Sequence, residues 1–146
     1  MSHLSDKPIV PSKYIENMHH PKAGAIVLFS GESRNHNEGK AVKYLEYEAH
    51  ESLANKIIDE IIESAKKKWE LHDVFCMHRT GKVDICESAV VIITLSSHRD
   101  EAYAANRYII DRLKHEAPIW KKEYFEDGSI EWSKGCEHEH KESVDA

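Results

Sequence analysis

Lys114, Lys121, the His78-Arg79 and His98-Arg99 pairs, and Arg34 are the residues of this chain whose types could do chemistry together. A guanidinium fork grips a phosphate or carboxylate through paired N–H donors, and a neighbouring histidine adds a donor or a proton. Lys114 and Lys121 flank Pro118, with Ile119 and Trp120 as apolar neighbours. A lysine beside a second cation in such surroundings suits proton transfer, or stabilisation of an anion that forms during a reaction. The set as a whole suits a small anionic substrate or a carboxylate-bearing partner. Plainer roles fit the same residues. Lys114 can oppose the negative end of a helix, Lys121 can be an outward strand residue, and each His-Arg pair can serve the strand end it closes. Around Arg34, the Asn35-His36-Asn37 run reads equally as turn chemistry, because Asn tolerates left-handed backbone and bonds its own main chain. Spacing leaves these alternatives open.

The elements that must position these groups follow from periodicity. AIVLF (25–29) and VKYLEYEA (42–49) read as neighbouring strands joined by a polar loop that carries Arg34, with Val42, Tyr44 and Glu46 on one face of the second. From Ser52 to Trp69, Leu53, Ile57, Ile58, Ile61, Ile62, Ala65 and Trp69 recur at helical spacing, and the 66–68 lysine run falls in the last turn, a solvated helix end. DVFCMH (73–78) and SAVVIITL (88–95) are strands linked through a turn at Gly81. A second helix spans about Asp100 to His115, with Ala102, Ala105, Ile109 and Leu113 inward and Tyr103, Arg107 and Lys114 on a different side. IWKKEYF, the turn at 126–129 and IEW form a last hairpin. The expectation is an α+β domain: two helices packed on mostly antiparallel sheet, as strand-strand-helix twice and then a C-terminal hairpin. Residues 1–134 form that single domain, 1–22 being an irregular arm broken by Pro8, Pro11 and Pro21, and 135–146 a disordered acidic tail.

Composition narrows the function classes. The chain has 146 residues, 40% apolar and 32% charged, and a net charge of −6. Eight acids against Lys134 and Lys141 within residues 123–146 account for all six, so the preceding body is neutral. A nucleic-acid binder would show a broader basic excess, no apolar run approaches the roughly 20 residues of a membrane span, and no secretion signal is present, so a cytoplasmic location is expected. Glycine patterns of a standard nucleotide fold are missing. Three cysteines without C-x-x-C spacing suggest neither a disulfide framework nor structural zinc. Cys76 reads as a buried small residue and Cys86 as exposed beside a turn. Cys136-x-His138-x-His140, with His19-His20, resembles a soft metal site of no known structural-zinc spacing.

Several linked motifs carry a resemblance. FSGESRNHNEGK, LEYEA, MHRTGKV, SSHRDEAYAANRYIIDRLK and APIWKKE with DGS…W, over roughly residues 24–132, are similar to the large, catalytic subunit of molybdopterin synthase. The resemblance implies that family's fold, which contains an α/β hammerhead. It also implies a sulfurtransferase of molybdenum cofactor biosynthesis. Such an enzyme adds two sulfurs to cyclic pyranopterin monophosphate, taking them from the C-terminal Gly-Gly thiocarboxylate of a small ubiquitin-like subunit. A homodimer of large subunits, each binding one small subunit, would make a heterotetramer. Lys114 and Lys121 would be the active-site lysines. Arg34, His98 and Arg99 would line the anionic pocket, Lys122 and Glu123 would extend it, and the backbone of Glu32 and Ser33 would add contacts. Sulfur arriving on the partner implies no cofactor and no metal on this chain. Ser33 stands where the family often has an apolar residue, and Cys86 where glycine is common. Two other readings compete: a scaffold that holds a ubiquitin-like protein without chemistry, and a metal handler acting through its tail.

Overall fold

All nine residues of the strand Ser88–Ser96 are buried, which explains why SAVVIITL shows no polar alternation. A strand covered on both faces has no solvent side on which to place polar residues. The computed structural model in which this is seen describes residues 2–134. The tail with Cys136, His138 and His140 lies outside the described residues, as does the disorder expected of it. In chain order the elements are β1 (Leu4–Ser5), α1 (Pro11–Ile15), β2 (Ala25–Glu32), β3 (His36–Asn37), β4 (Lys40–Ala49) and α2 (Glu51–Lys68). They continue with β5 (Leu71–Arg79), β6 (Gly81–Asp84), β7 (Ser88–Ser96), α3 (Arg99–Glu116), β8 (Ile119–Phe125) and β9 (Ile130–Lys134).

These elements form an α+β fold with two sheets. The first has the order β1-β5-β7-β2, and in the second β4 pairs with β3, β6 and β8, with β9 beyond β8. Every pairing is antiparallel except that of β1 with β5. The main core lies against one face of the first sheet, where Cys76, Val90 and Ile92 meet Ile58, Ile61 and Ala65 of α2 and Ile109 and Leu113 of α3. Inside it Asn106 of α3 is buried, and its amide donates to the carbonyls of Val27 and Ile92 at 3.1 Å each. This satisfies a polar group that burial would otherwise penalise, and fixes the helix on the sheet.

The structure departs from the sequence reading in three places. First, β2 and β4 are not neighbours: β2 pairs with β7 in the first sheet and β4 belongs to the second. The loop between them crosses from one sheet to the other, and it carries a small hairpin of its own, β3 on β4. Secondly, the face of β4 changes along its length. Val42 pairs with Phe125, but Tyr44 pairs with Tyr124, so β4 holds one extra residue there. This bulge turns the later side chains over. Leu45 and Tyr47 therefore enter the core, while Tyr44 and Glu46 lie on the other side. Thirdly, the N-terminal arm is structured. Ile9 and Met18 are buried, and with Tyr14 and Ile15 they cover Val91, Ile93 and Leu95 on the second face of the first sheet. His3 is buried as well, its Nδ1 3.0 Å from the Cys76 carbonyl and its Nε2 2.6 Å from Asp59. The prolines break long elements without preventing burial, and Pro11 opens α1.

Candidate active site

Sheet register sorts the candidate residues between two poles of the molecule. At one end of β7, Ser88 lies beside Glu32 of β2, and Val90, two residues on, lies beside His78 of β5. At the other end, Ser96 lies beside Ala25 and Leu71. Helix α3 starts at that second end and runs back along β7, so Arg99 opens it at one pole and Lys114 stands in its last turn at the other. Fifteen residues at 1.5 Å each separate Arg99 from Lys114 by about 22 Å. Arg34, Lys114 and Lys121 thus belong to one pole, and His98 with Arg99 to the other.

The loop bearing Arg34 is anchored at three points. The Ser33 N–H donates to the Glu87 carbonyl at 3.0 Å, and the Cys86 N–H donates to the Ser33 carbonyl at 2.8 Å. The Val42 N–H donates to the Asn35 carbonyl at 2.8 Å. Asn37 then places its amide Nδ2 2.9 and 3.1 Å from the two carboxylate oxygens of Glu123. Glu123 is buried, so this carboxylate is an anchor for the loop more than a group presented to a ligand. The anchoring fixes Arg34 relative to β8, two residues from Lys121. Sequence reasoning missed this function of Asn37, because a turn asparagine and a cross-sheet donor look alike until the partner strand is known. Ser33 itself is buried, and its hydroxyl has no hydrogen-bond partner among the described residues. Glu32 is exposed at the end of β2.

The lysines take opposite directions along β8. Ile119, Glu123 and Phe125 are buried, so Lys121 shares their inward face and Trp120 does not. Its apolar shield is Tyr47, its register partner on β4, together with Ile119. Lys122 points to the outer face, where its ammonium lies 5.1 Å from the Tyr124 ring centroid and 5.2 Å from that of Trp132. There the Tyr124 hydroxyl, helped by the charges of Glu46 and Glu48, holds the Lys122 ammonium above the ordinary lysine range. In one chain, therefore, Lys122 does not share a pocket with Lys121. Trp132, Ile130 and Trp120 are about half exposed on this same outer face, next to the stacked Tyr44–Tyr124 pair.

The two His-Arg pairs differ in their surroundings. Arg79 is buried and structural, with Nη1 3.1 Å from Glu87 and Nη2 2.5 Å from the Lys82 carbonyl. His78 beside it is buried and packed edge-on against Tyr47, ring centroids 4.9 Å apart. Burial, with the charges of Lys114 and Arg79, pushes its pKa down to about 4. His98 and Arg99 are exposed at the start of α3, close to a polar cluster in which His72 contacts the Ser97 hydroxyl at 2.8 Å and stacks on His20. Cys76 is buried, and burial pushes its thiol up to about 12, so it is no nucleophile. Cys86 is exposed in a left-handed conformation, φ 74°.

Among the arginines, charge pairing separates the candidates from the rest. Of the chain's five arginines, Arg79, Arg107 and Arg112 are bound to carboxylates, while Arg34 and Arg99 make no ion pair among the described residues. Lys114 and Lys121 are likewise without a carboxylate partner there, whereas Lys40 and Lys82 have one. Cations left unneutralised on rigid elements are available to an external anion.

An α+β domain with unpaired cations fixed by strand ends, a laced loop and a helix terminus presents positive charge on a rigid frame. The family model described as MoaE protein matches residues 4–116, and the chain belongs to that family. It is 42% identical over 129 residues to the molybdopterin synthase catalytic subunit of Thermoplasma volcanium, covering 88% of this chain and 94% of the relative. It is also 42% identical over 125 residues to the catalytic subunit of Bacillus subtilis, covering 86% and 80%. Among solved structures, the molybdopterin synthase of Staphylococcus aureus superposes with a TM-score of 0.84 at 37% identity, over 90% of this chain and 96% of the other. A two-subunit complex of the molybdopterin-converting factor from Helicobacter pylori shares the fold with a TM-score of 0.68 at 23% identity, over 87% and 82%. The family is thus one of enzyme subunits that serve molybdenum cofactor biosynthesis. Among the described residues no helix is long and apolar enough to cross a membrane.

Proposed function

We propose that the chain is the catalytic subunit of a molybdopterin synthase, a sulfurtransferase. It moves two sulfurs from the C-terminal thiocarboxylate of a small ubiquitin-like subunit onto cyclic pyranopterin monophosphate, giving the molybdopterin dithiolene. The observation that carries this reading is the pole where Arg34, Lys114 and Lys121 stand without carboxylate partners on three fixed elements. The substrate brings a phosphate and the partner brings an anionic thiocarboxylate. Two anions come within reacting distance only where several cations offset their repulsion.

In this reading Lys114 and Lys121 hold the thiocarboxylate and the negative charge that develops as sulfur is transferred. Each transfer forms a C–S bond at a side-chain carbon of the pterin as a C–O bond at that carbon breaks, and water then cleaves the acyl C–S bond, leaving the sulfur on the pterin and returning the partner's C terminus as a carboxylate. Sulfur comes from the partner, so the chain needs no activated cysteine and no cofactor. Arg34 binds on the phosphate side, with the Glu32 and Ser33 backbone beside it, and Glu123 fixes its loop. The distance of about 22 Å along α3 keeps one chain's Arg99 from sharing a phosphate with its own Lys114. A second copy that presents its His98 and Arg99, and Lys122 on the outer face, across an interface would complete the pocket. This supports a homodimer, and a heterotetramer once each copy carries a small subunit.

The test is turnover: purified chain, thiocarboxylated small subunit and cyclic pyranopterin monophosphate, with dithiolene product read by fluorescence after oxidation. Product in proportion to the thiocarboxylate consumed, two per pterin, is the expected result. Tight binding of the small subunit with no product would favour the scaffold reading instead.

A further inference from the structure

We infer that Arg79 is a positioning residue for Arg34: its buried guanidinium sets the turn between β6 and β7, and that turn holds Ser33, the residue before Arg34, by both of its backbone groups. The inference rests on the function proposed above and deepens it, since it concerns how the same site places the arginine assigned to the phosphate.

A continuous series of hydrogen bonds runs from Arg79 to the Arg34 loop. From the end of β5, Arg79 Nη2 donates to the Lys82 carbonyl of β6 at 2.5 Å, and Nη1 donates to the Glu87 carboxylate at 3.1 Å. The same carboxylate oxygen accepts the Asp84 N–H at 3.1 Å, and the Glu87 N–H donates to the Asp84 carbonyl at 3.1 Å. Both sides of the turn are therefore tied to one guanidinium. The turn then grips the loop: the Glu87 carbonyl accepts the Ser33 N–H, and the Cys86 N–H donates to the Ser33 carbonyl. Ser33 can shift only if residues 86 and 87 shift with it.

The turn needs such a hold. Cys86 sits in it with φ at 74°, a conformation that a residue with a side chain takes only when its surroundings impose it. Stability alone is a poor account of Arg79. The residue is 3% exposed, and its Nε has no hydrogen-bond partner among the described residues. A guanidinium buried with one carboxylate and an unbonded N–H loses much of its attraction to desolvation, and an apolar side chain would fill the space at lower cost. A planar fork does what an apolar chain cannot, because it fixes two acceptors at a set separation and angle. Glu87 supplies the matching charge: the Asp84 N–H and then Arg79 hold its carboxyl below the ordinary range. The Arg34 loop thus has one anchor at Asn37 on Glu123 and another at Ser33, and Arg79 governs the second.

Arg79→Met keeps an apolar stem but removes the fork. Glu87→Gln keeps an oxygen for the Asp84 N–H and removes the charge facing Arg79, so it carries the test if Arg79→Met does not fold. In steady-state turnover with the thiocarboxylated subunit, KM for the pterin is expected to rise about tenfold in Arg79→Met and about threefold in Glu87→Gln, with kcat within about twofold. In an Arg34→Ala background either substitution should add less than about twofold in KM, because the residue through which it acts is already gone. Amide exchange followed by NMR should speed up about tenfold at Ser33 and Cys86, while β7, paired on both sides, keeps its protection. An unchanged KM in both variants, a full effect repeated in the Arg34→Ala background, or faster exchange throughout β7 would each overturn the proposal. Absence of turnover in the wild-type control, or an Arg34→Ala chain with wild-type KM, would instead fail the function on which it rests, so the two failures are told apart.

Discussion

Replacing Asn37 by alanine removes the clamp that fixes the Arg34 loop to β8. One amide nitrogen serves both oxygens of a carboxylate that is 7% exposed, at 2.9 and 3.1 Å. A hydrogen bond to a charged group contributes about 1.5–3 kcal/mol, and a buried carboxylate stripped of its donor keeps its desolvation cost. A loss of about 2 kcal/mol follows, which for a chain of this size lowers Tm by roughly 6 °C. The loop keeps its anchors at Ser33 and Asn35, so the fold should survive while Arg34 gains freedom and KM for the phosphate-bearing pterin rises. Thermal unfolding followed by circular dichroism reads the first effect and steady-state kinetics the second. Because the penalty lies in the orphaned charge, Glu123→Gln in the Asn37→Ala background should recover about 1 kcal/mol. A Tm for Asn37→Ala within about 1 °C of wild type would refute the clamp.

Three further outcomes follow from the same geometry. Lys114→Ala and Lys121→Ala should each lower dithiolene formation by about a hundredfold or more with little change in Tm, and normal product formation by either would remove that lysine from the mechanism. Cys86→Gly should stabilise the protein by about 0.5–1 kcal/mol, because glycine takes the left-handed backbone at φ 74° without the side-chain clash, a gain partly offset by its freer unfolded chain; a lower denaturant midpoint would contradict this. His78, lowered from 6.5 to about 4 when folded, binds fewer protons than in the unfolded chain between those values. Its contribution is therefore complete above pH 6.5 and is lost as pH falls toward 4, with a slope of up to about 1.4 kcal/mol per pH unit. The stability of His78→Gln should be flatter over that window, and an unchanged profile would count against the buried neutral ring.

Elements whose side chains repeat with a clear period were legible in the sequence. The stripes of α2 and α3 and the unbroken apolar run of β7 matched burial, because burial of a regular element imposes its period on the residues, except that Leu53 in the first turn of α2 is exposed. The bulge at Val42/Tyr44 was not legible. It breaks the period of two within β4, and it is what turns Tyr47 toward Lys121 and His78. Nor could the arm be read, since its helix is too short to show a period and it is held by Ile9, Met18 and the buried His3. At the site, the cation types were visible but their grouping was not. Arg34 comes to the same end of the molecule as Lys121 only because a loop crosses between sheets, and Arg99 and Lys114 are kept apart only because the helix between them is unbroken. Arg79 looked the same as Arg99 in sequence, and the Glu87 carboxylate that neutralises it is a feature of the fold.

If the pocket is shared between copies, an Arg99→Ala chain and a Lys114→Ala chain are defective in different halves of it. Each variant alone should be nearly inactive. When the two are dissociated, mixed in equal amounts and allowed to reassemble, half of the dimers pair one of each, and every such dimer holds one site with both residues intact. Turnover by the mixture should then return to about a quarter of the wild-type rate. A mixture whose dimers have exchanged and that stays as inactive as its components would contradict a site built from Arg99 of one copy and Lys114 of the other.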